Sequence, residues 1–376
     1  MGLRSLAAML LLSVLLGEGA SWARSDDMKR PCVDCHTMHN SQGGLAPEVS
    51  SPSRRVGGAG TAQNALLNTS CYGCHSDAIT RTRIDTPVVL HFTAPTYGLT
   101  GTEAGHTTLA GGDFHWVSGA ADLKGHNVEG FSTQSSRIPP GWSGDPFLVL
   151  TCAGTTGCHG NLNRAGDIPA MYQTHHAAEP QPDPRVRDGN SLATSYRWLD
   201  GVAGYEDSDY ELTFDGGSHN QYIGFDRTAD INSSSKAISQ FCAKCHGNFH
   251  FGPANSGVSA SDDPPAFSVD PWIRHPVDYD MGGLGSGGEY EGYGSPPAAA
   301  PYNVRTPLGS KYTVPADLAS RATVNLASSD ETAVIVCITC HRAHGSPYDY
   351  HLRWNYQAWP GAGSYNGCGD CHTAKN

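Results

Sequence analysis

Apolar positions along this chain are sparse and fall into short islands. One continuous apolar run, Leu6 to Leu16, stands near the N-terminus. Two strand-like pieces come much later, Phe147-Leu-Val-Leu150 and Ala333-Val-Ile-Val336. Short apolar runs of this kind read as brief buried strands. Between the islands lie Gly-, Pro- and Ser-rich segments, among them Pro253 to Pro265 and Gly282 to Pro301, which predict irregular loops. No fixed-period repeat is present beyond one short cysteine motif. The pattern predicts a mostly irregular, coil-rich fold with short helices at the cysteine motifs and little sheet.

The N-terminal run reads as an export signal. Arg4 precedes it, it is too short to span a bilayer comfortably, and Ser21-Trp22-Ala23 offers the small residues that a signal peptidase recognises. The expectation is a signal peptide over 1–23, cleaved after Ala23, and one domain over 24–376. The competing reading is a retained anchor. With no other membrane span in the mature chain, localisation is expected to be periplasmic or extracellular, at the cell surface.

Composition sharpens the picture. Only 38% of residues are hydrophobic and 16% charged, with 45 Gly and 24 Pro in 376 residues. The hydrophobic share is low for a globular chain, and the charge is too low for a charge-driven disordered one. Something other than aliphatic side chains must fill the interior, and a large flat apolar cofactor would do so. The net charge of −12 and the lack of a basic stripe exclude a nucleic-acid role. Cationic surfaces, metal acceptors and other redox proteins remain as partners.

Chemistry enters with the cysteines. Ten of the 12 fall in five copies of Cys-x-x-Cys-His: Cys32/Cys35/His36, Cys71/Cys74/His75, Cys242/Cys245/His246, Cys337/Cys340/His341 and Cys368/Cys371/His372. This is the attachment motif of c-type haem. Two thiols three residues apart lie on one side of a helical turn, where each adds to a vinyl group of the same porphyrin, and the His that follows meets the iron. A zinc ribbon needs paired Cys-x-x-Cys units and has no use for the adjacent His.

The remaining pair, Cys152 and Cys158, precedes His159 but is separated by five residues. Two readings stand. Either a bulge loops out and the site holds haem through both thioethers, or through Cys158 alone, or else Cys152 and Cys158 form a local disulfide. The haem reading gives six haem c groups in a haem-packed multihaem cytochrome fold. Glycine-rich pieces at Gly111-Gly-Asp-Phe114 and Gly282 to Gly288 carry neither a cyclase nor a phosphate-loop signature.

Axial ligand identity governs haem chemistry. The 18 His supply six proximal ligands and enough others to close every iron on its second face. Three distal candidates stand out by spacing: His39, three after His36; His250, four after His246; and His344, three after His341. Each shares a helical turn with a proximal His, so it cannot reach the far face of its own haem and can reach a neighbouring one. His126, His175, His176 and His275 complete the distal candidates. His91 and His219 are reserves, and His106, His115 and His351 read as hydrogen-bonded or exposed side chains. Closed irons suit electron transfer over catalysis. A multihaem reductase needs an open face, often with Lys in place of the motif His, and no Cys-x-x-Cys-Lys occurs here. Two further rivals to the electron-conducting reading are a monomeric periplasmic shuttle and a scaffold whose haems merely replace a core.

Several islands extend the motifs in a fixed order: Cys32-x-x-Cys-His-Thr-Met-His-Asn-Ser-Gln-Gly-Gly44, Gly111-Gly-Asp-Phe with Trp116, Lys124-Gly-His-Asn, Phe241-Cys-Ala-Lys-Cys-His, Arg274-His-Pro, Cys340-His-Arg-Ala-His344 and the terminal Cys-x-x-Cys-His372. Together they resemble the OmcS-like family of filament-forming extracellular hexahaem cytochromes. The resemblance implies bis-histidine haems stacked in one line. It also implies a homo-oligomeric filament in which His39 reaches the fifth haem of the neighbouring subunit. The third motif departs from the family, with expanded spacing and Asn161-Leu-Asn163 after His159, so that His175 or His176 is expected to take the missing ligand role.

Overall fold

The computed structural model describes residues 49–51, 54–56, 71–77, 86–97, 107–117, 122–129, 149–172, 174–175, 185–212, 219–225, 236–246, 277–282, 300–311, 323–324, 333–358 and 365–372. Regular structure within them is brief. The α-helices are α1 (Tyr72–His75), α2 (Asp167–Ala170), α3 (Ile238–Cys242), α4 (Cys337–Cys340) and α5 (Cys368–Cys371). Four of the five carry or abut a Cys-x-x-Cys-His motif, and the expanded third motif forms none. Each is one turn long, below the length at which an isolated helix holds itself together. Their stability must come from packing and from whatever the cysteines bind.

Sheet is more extensive than the sequence predicts, though every strand is two or three residues long. Strands β1 (Val49–Ser51) and β2 (Arg54–Val56) form an antiparallel pair, as do β7 (Ala300–Pro301) and β9 (Thr323–Val324). The remaining strands are β3 (Val186–Arg187), β4 (Gly204–Tyr205), β5 (Gln221–Ile223), β6 (Tyr279–Asp280), β8 (Gly309–Ser310) and β10 (Val334–Ile335). They join in one sheet of order β3-β4-β5-β8-β10-β6. Only β5 and β8 run parallel. Of the two strand-like pieces in the sequence, Ala333–Val336 supplies β10. Leu150 makes only an isolated bridge to Val128.

The sheet has a specific task. Strand β10 runs directly into α4, and its Val334 and the following Val336 share an apolar cluster with Tyr196, Val202, Tyr222 and Ile238 at the start of α3. Two motif helices are thereby packed against one sheet face. The Cys337 N–H donates to Ser239 Oγ at 3.1 Å, tying α4 to α3. Inside the motif, Thr339 Oγ1 accepts from Val336 N and donates to Pro307 O. The last motif is anchored in the same way: Asp370 accepts from Asn303, Thr306 and Tyr365.

There is no large aliphatic core among the described residues. Four separate buried clusters of five or six residues stand instead. Buried charge is correspondingly common. Arg187 donates through Nε to Glu206 at 2.9 Å, with both side chains under a tenth exposed, and Glu206 also accepts from the Arg197 backbone N–H. Glu211 lies buried near Arg342 and Arg353 and accepts from Asn220 N at 2.8 Å. Burial wins over these favourable partners and raises its carboxyl to about 7.

Two outcomes follow for stability. Arg187→Ala removes one of the two cations beside the buried Glu206 carboxylate and is expected to lower the midpoint of guanidinium unfolding. Glu211 has an ordinary value of 4.5, so between that pH and about 7 the folded state holds a proton that the unfolded chain releases. Its contribution is therefore full at low pH and is lost as pH rises through this window. Glu211→Gln is expected to flatten that dependence, raising the unfolding midpoint at pH 8 while leaving it nearly unchanged at pH 4.

Candidate functional site

The described regular motifs close by the same hydrogen bond. The N–H of the motif His donates to the carbonyl of the first Cys: His75 to Cys71 at 2.9 Å, His246 to Cys242 at 3.0 Å, His341 to Cys337 at 3.1 Å and His372 to Cys368 at 2.8 Å. One turn thus gathers two thiols and an imidazole.

The expanded third motif makes this bond too. His159 N donates to Cys152 O at 2.9 Å, and Cys158 N to the same oxygen at 3.2 Å. The extra residues bulge out. Asp167 receives the Ala153 N–H at 2.8 Å, and Thr155 N reaches Arg164 O at 3.0 Å. Gly157 lets the bulge fold back, because a β-carbon there would stand 2.6 Å from the Ala153 backbone. Cys152 and Cys158 are unbonded to each other in this structure.

The thiols of successive motifs adjoin one another in chain order. Hydrogen bonding with Cys152, then burial, holds the Cys71 thiol well above its ordinary value. Cys158, exposed at its surface, feels Cys245 of the next motif. Cys242 is raised chiefly by its contact with Cys337. Cys340 is raised by burial, then by Cys371 and Cys368. The second and third motifs thus meet through Cys71 and Cys152, and the fourth and fifth through Cys242 and Cys337. Cys71, Cys152 and the Asp167 carboxylate also cluster closely enough to hold a metal ion, but both thiols belong to attachment motifs.

Imidazoles pair across these motifs. His75 and His175 have ring centroids 6.3 Å apart, His159 and His344 6.3 Å, and His246 and His126 6.1 Å. Each pair joins a motif His to one from elsewhere in the chain. Imidazoles on opposite faces of one metal ion, each with a nitrogen about 2 Å away, hold their centroids about 6 Å apart. The residues present therefore fit a haem iron between each pair.

The ring tautomers agree with such a fit. His75 donates through Nδ1 to Pro87 O at 2.9 Å, His159 to Arg197 O at 2.8 Å, His126 to Ala343 O at 2.6 Å and His341 to Tyr350 O at 2.7 Å. A backbone acceptor at one ring nitrogen is the usual support of a metal-ligating His and assigns the other nitrogen to the metal. Arg197 and Tyr350 hold positive φ of 47° and 60°, so two of these oxygens are presented by strained backbone. Burial pushes the His344 imidazole down to about 3, so it is neutral at pH 7, the form a metal requires.

The chain was also compared with known proteins. A family model for the doubled CXXCH motif matches residues 331–376, the fifth and sixth motifs. The chain is 24% identical over 406 residues to the C-type cytochrome OmcS of Geobacter sulfurreducens, covering 94% of this chain and 85% of that protein. These similarities support an OmcS-like multihaem c-type cytochrome. Solved structures similar to it include the Outer Membrane Cytochrome S filament from Geobacter sulfurreducens, at 21% identity and a TM-score of 0.47. A second structure of the OmcS nanowires from the same organism gives 20% and 0.41. Each covers 87% of this chain and 84% of the other.

Within the cytochrome, the sequence islands converge around His344. Its N–H donates to Gly111 O at 2.7 Å, and its carbonyl accepts from His126 N at 3.2 Å. Gly112, at φ 87°, lies where a β-carbon would strike Gly345 O. His344 thus stands against His159 of the third motif, and His175 against His75 of the second. Cys32, Cys35, His36, His39, His176, His250 and His275 lie outside the described residues.

Other side chains gather here without a signal in the sequence. The His351 ring lies 4.8 Å from that of His126. Its spacing from any motif gave no reason to choose it. Asp113 is fully buried and binds both His91 and His115. Among the described residues, no helix is long and apolar enough to cross a membrane.

The third motif gives the sharpest check on this geometry. Gly157→Ala places a β-carbon against the Ala153 backbone and prevents the bulge from closing. The expected outcome is one covalent haem fewer per chain, measured by intact mass and pyridine haemochrome.

Proposed function

We propose that this cytochrome is an exported electron carrier in which six haem c groups run in one line, each iron held by two histidines, and that it assembles with itself into extracellular filaments. In this reading Cys32, Cys35, Cys71, Cys74, Cys152, Cys158, Cys242, Cys245, Cys337, Cys340, Cys368 and Cys371 form the thioethers. His36, His75, His159, His246, His341 and His372 are the proximal ligands. His175, His344 and His126 take the far faces of the second, third and fourth haems. Haem c supplies reversible one-electron chemistry at iron.

The protein's own part is to close each iron, exclude substrate and keep neighbouring sites adjacent. The observation that carries the reading is the three imidazole pairs at 6.1–6.3 Å, set along motifs whose thiols meet in order. Paired imidazoles would leave no open face at the second, third and fourth haems. The resemblance to OmcS over 94% of the chain supports a filament, and with it His39 as a ligand to the fifth haem of the next subunit. Electron partners are then other redox cytochromes or metal acceptors outside the cell.

The experiment is a spectrum, a mass and an image. Six covalent haems with a wholly low-spin ferric spectrum are expected, and a substantial high-spin fraction would sink the closed-iron reading. Wild type is expected to form filaments under negative stain and His39→Ala to remain unassembled. Two proteins that both stay monomeric would leave the shuttle as the better account.

A further inference from the structure

One turn of chain serves two neighbouring sites at once. Tyr350 and His351 stand side by side in left-handed backbone, at φ 60° and 57°. Non-glycine residues avoid this region, and the strain persists only where surrounding contacts over-determine it. Those contacts come from both sides. The Tyr350 carbonyl receives Nδ1–H of His341 at 2.7 Å, and the His351 carbonyl receives the N–H of Arg342 at 2.8 Å. The turn Asp349–His351 also packs on Asp122–Lys124, the segment that leads into His126. There the His351 ring stands 4.8 Å from the His126 ring and at 84° to it.

The three imidazole pairs differ in one respect. The rings of His75 and His175 lie at 41° to each other, those of His159 and His344 at 51°, and those of His126 and His246 at 64°. The most crossed pair is the one whose distal ring meets His351.

We propose that His351 is a positioning residue that holds the His126 ring crossed against His246, and so makes the fourth haem easier to reduce than it would be with its ligands more nearly parallel. The inference rests on the reading of His126 and His246 as the two ligands of one iron. His351 binds no iron in this account and acts through His126. The bond from His126 Nδ1 to Ala343 O holds one edge of that ring, and the His351 ring limits how far it turns about the bond. The consequence is electronic. Parallel imidazoles donate to the same iron dπ orbital and split the pair, whereas crossed imidazoles donate to both and leave them close in energy. The ferric hole sits in the upper orbital, so splitting stabilises ferric iron. Ferrous iron, with both orbitals filled, gains nothing. A crossed pair forgoes that stabilisation, which makes ligand orientation a further lever beside ligand identity.

The test is electron paramagnetic resonance and spectroelectrochemical titration of the intact haem-loaded protein. Nearly degenerate orbitals give a low-spin ferric signal with an unusually large principal g value, and wild type is expected to show one. His351→Asn removes the ring in favour of a residue that tolerates left-handed backbone. It is expected to keep every haem low-spin, to exchange that signal for a more rhombic one, and to move one haem's share of the absorbance change to more negative potential. The expected size is a several-fold change in that haem's reduction equilibrium, where tenfold is about 59 mV for one electron. His351→Phe, which keeps a ring, is expected to match wild type. A low-spin His351→Asn protein with an unmoved spectrum and titration overturns the positioning role, as does a low-spin His351→Phe protein that lacks the signal. One haem turned high-spin by His351→Asn would make His351 a ligand and overturns it too. A wild-type spectrum without a large-g signal overturns the crossed site, whether or not either variant folds. High-spin haem already present in wild type would instead defeat the bis-histidine reading itself.

Discussion

Everything in this chain depends on imidazoles held at a fixed place by the other nitrogen of the ring. A backbone oxygen or a buried carboxylate receives Nδ1–H at His75, His91, His115, His126, His159 and His341. Among the described residues little else holds the chain in shape. There the helices are single turns, the strands two or three residues long, and the apolar clusters small and separate. A chain with so little regular structure fixes a side chain by fixing the carbonyl that receives it. At Arg197 and Tyr350 it does so at the cost of a left-handed backbone, which L side chains avoid. Strain of that kind persists only where surrounding contacts over-determine it.

The same economy explains the third motif. What the attachment chemistry needs is two sulfurs and an imidazole around one turn, and the hydrogen bond from His159 to Cys152 O restores that turn despite three surplus residues. The insertion is absorbed sideways by Asp167, Arg164 and a glycine with no β-carbon to obstruct it. Spacing in sequence is a proxy for closure in space. Here the proxy fails while the closure survives.

The attachment motifs were legible because their chemistry is local: both thiols and the imidazole lie within one turn. Distal partners are a different matter. His344 was picked out by its distance from His341, but nothing in that spacing says that it meets His159. The meeting is made by Gly111, Gly125 and Gly345, which let three backbone segments pass within hydrogen-bonding reach. Those glycines were visible as islands of resemblance without a physical role. The extent of sheet was illegible for a related reason, since strands of two residues leave no alternation to read. Asp113 was hidden most completely. A lone acid after two glycines carries no signal until burial and His91 are seen together.

A file of like sites joined end to end conducts in either direction with equal ease unless some site differs from its neighbours. Most of the described imidazoles are fixed by neutral carbonyls, and differences among them must come from exposure and burial. One site is fixed by a full negative charge in a protein interior, where charge acts over a longer range than in water. The acidic balance of the chain, −12 before any propionate is counted, already favours ferric iron throughout. Asp113 adds to that field at a single point, through a bond of 2.6 Å rather than through solvent. In the proposed file, such a charge beside one imidazole would set that site apart from its neighbours.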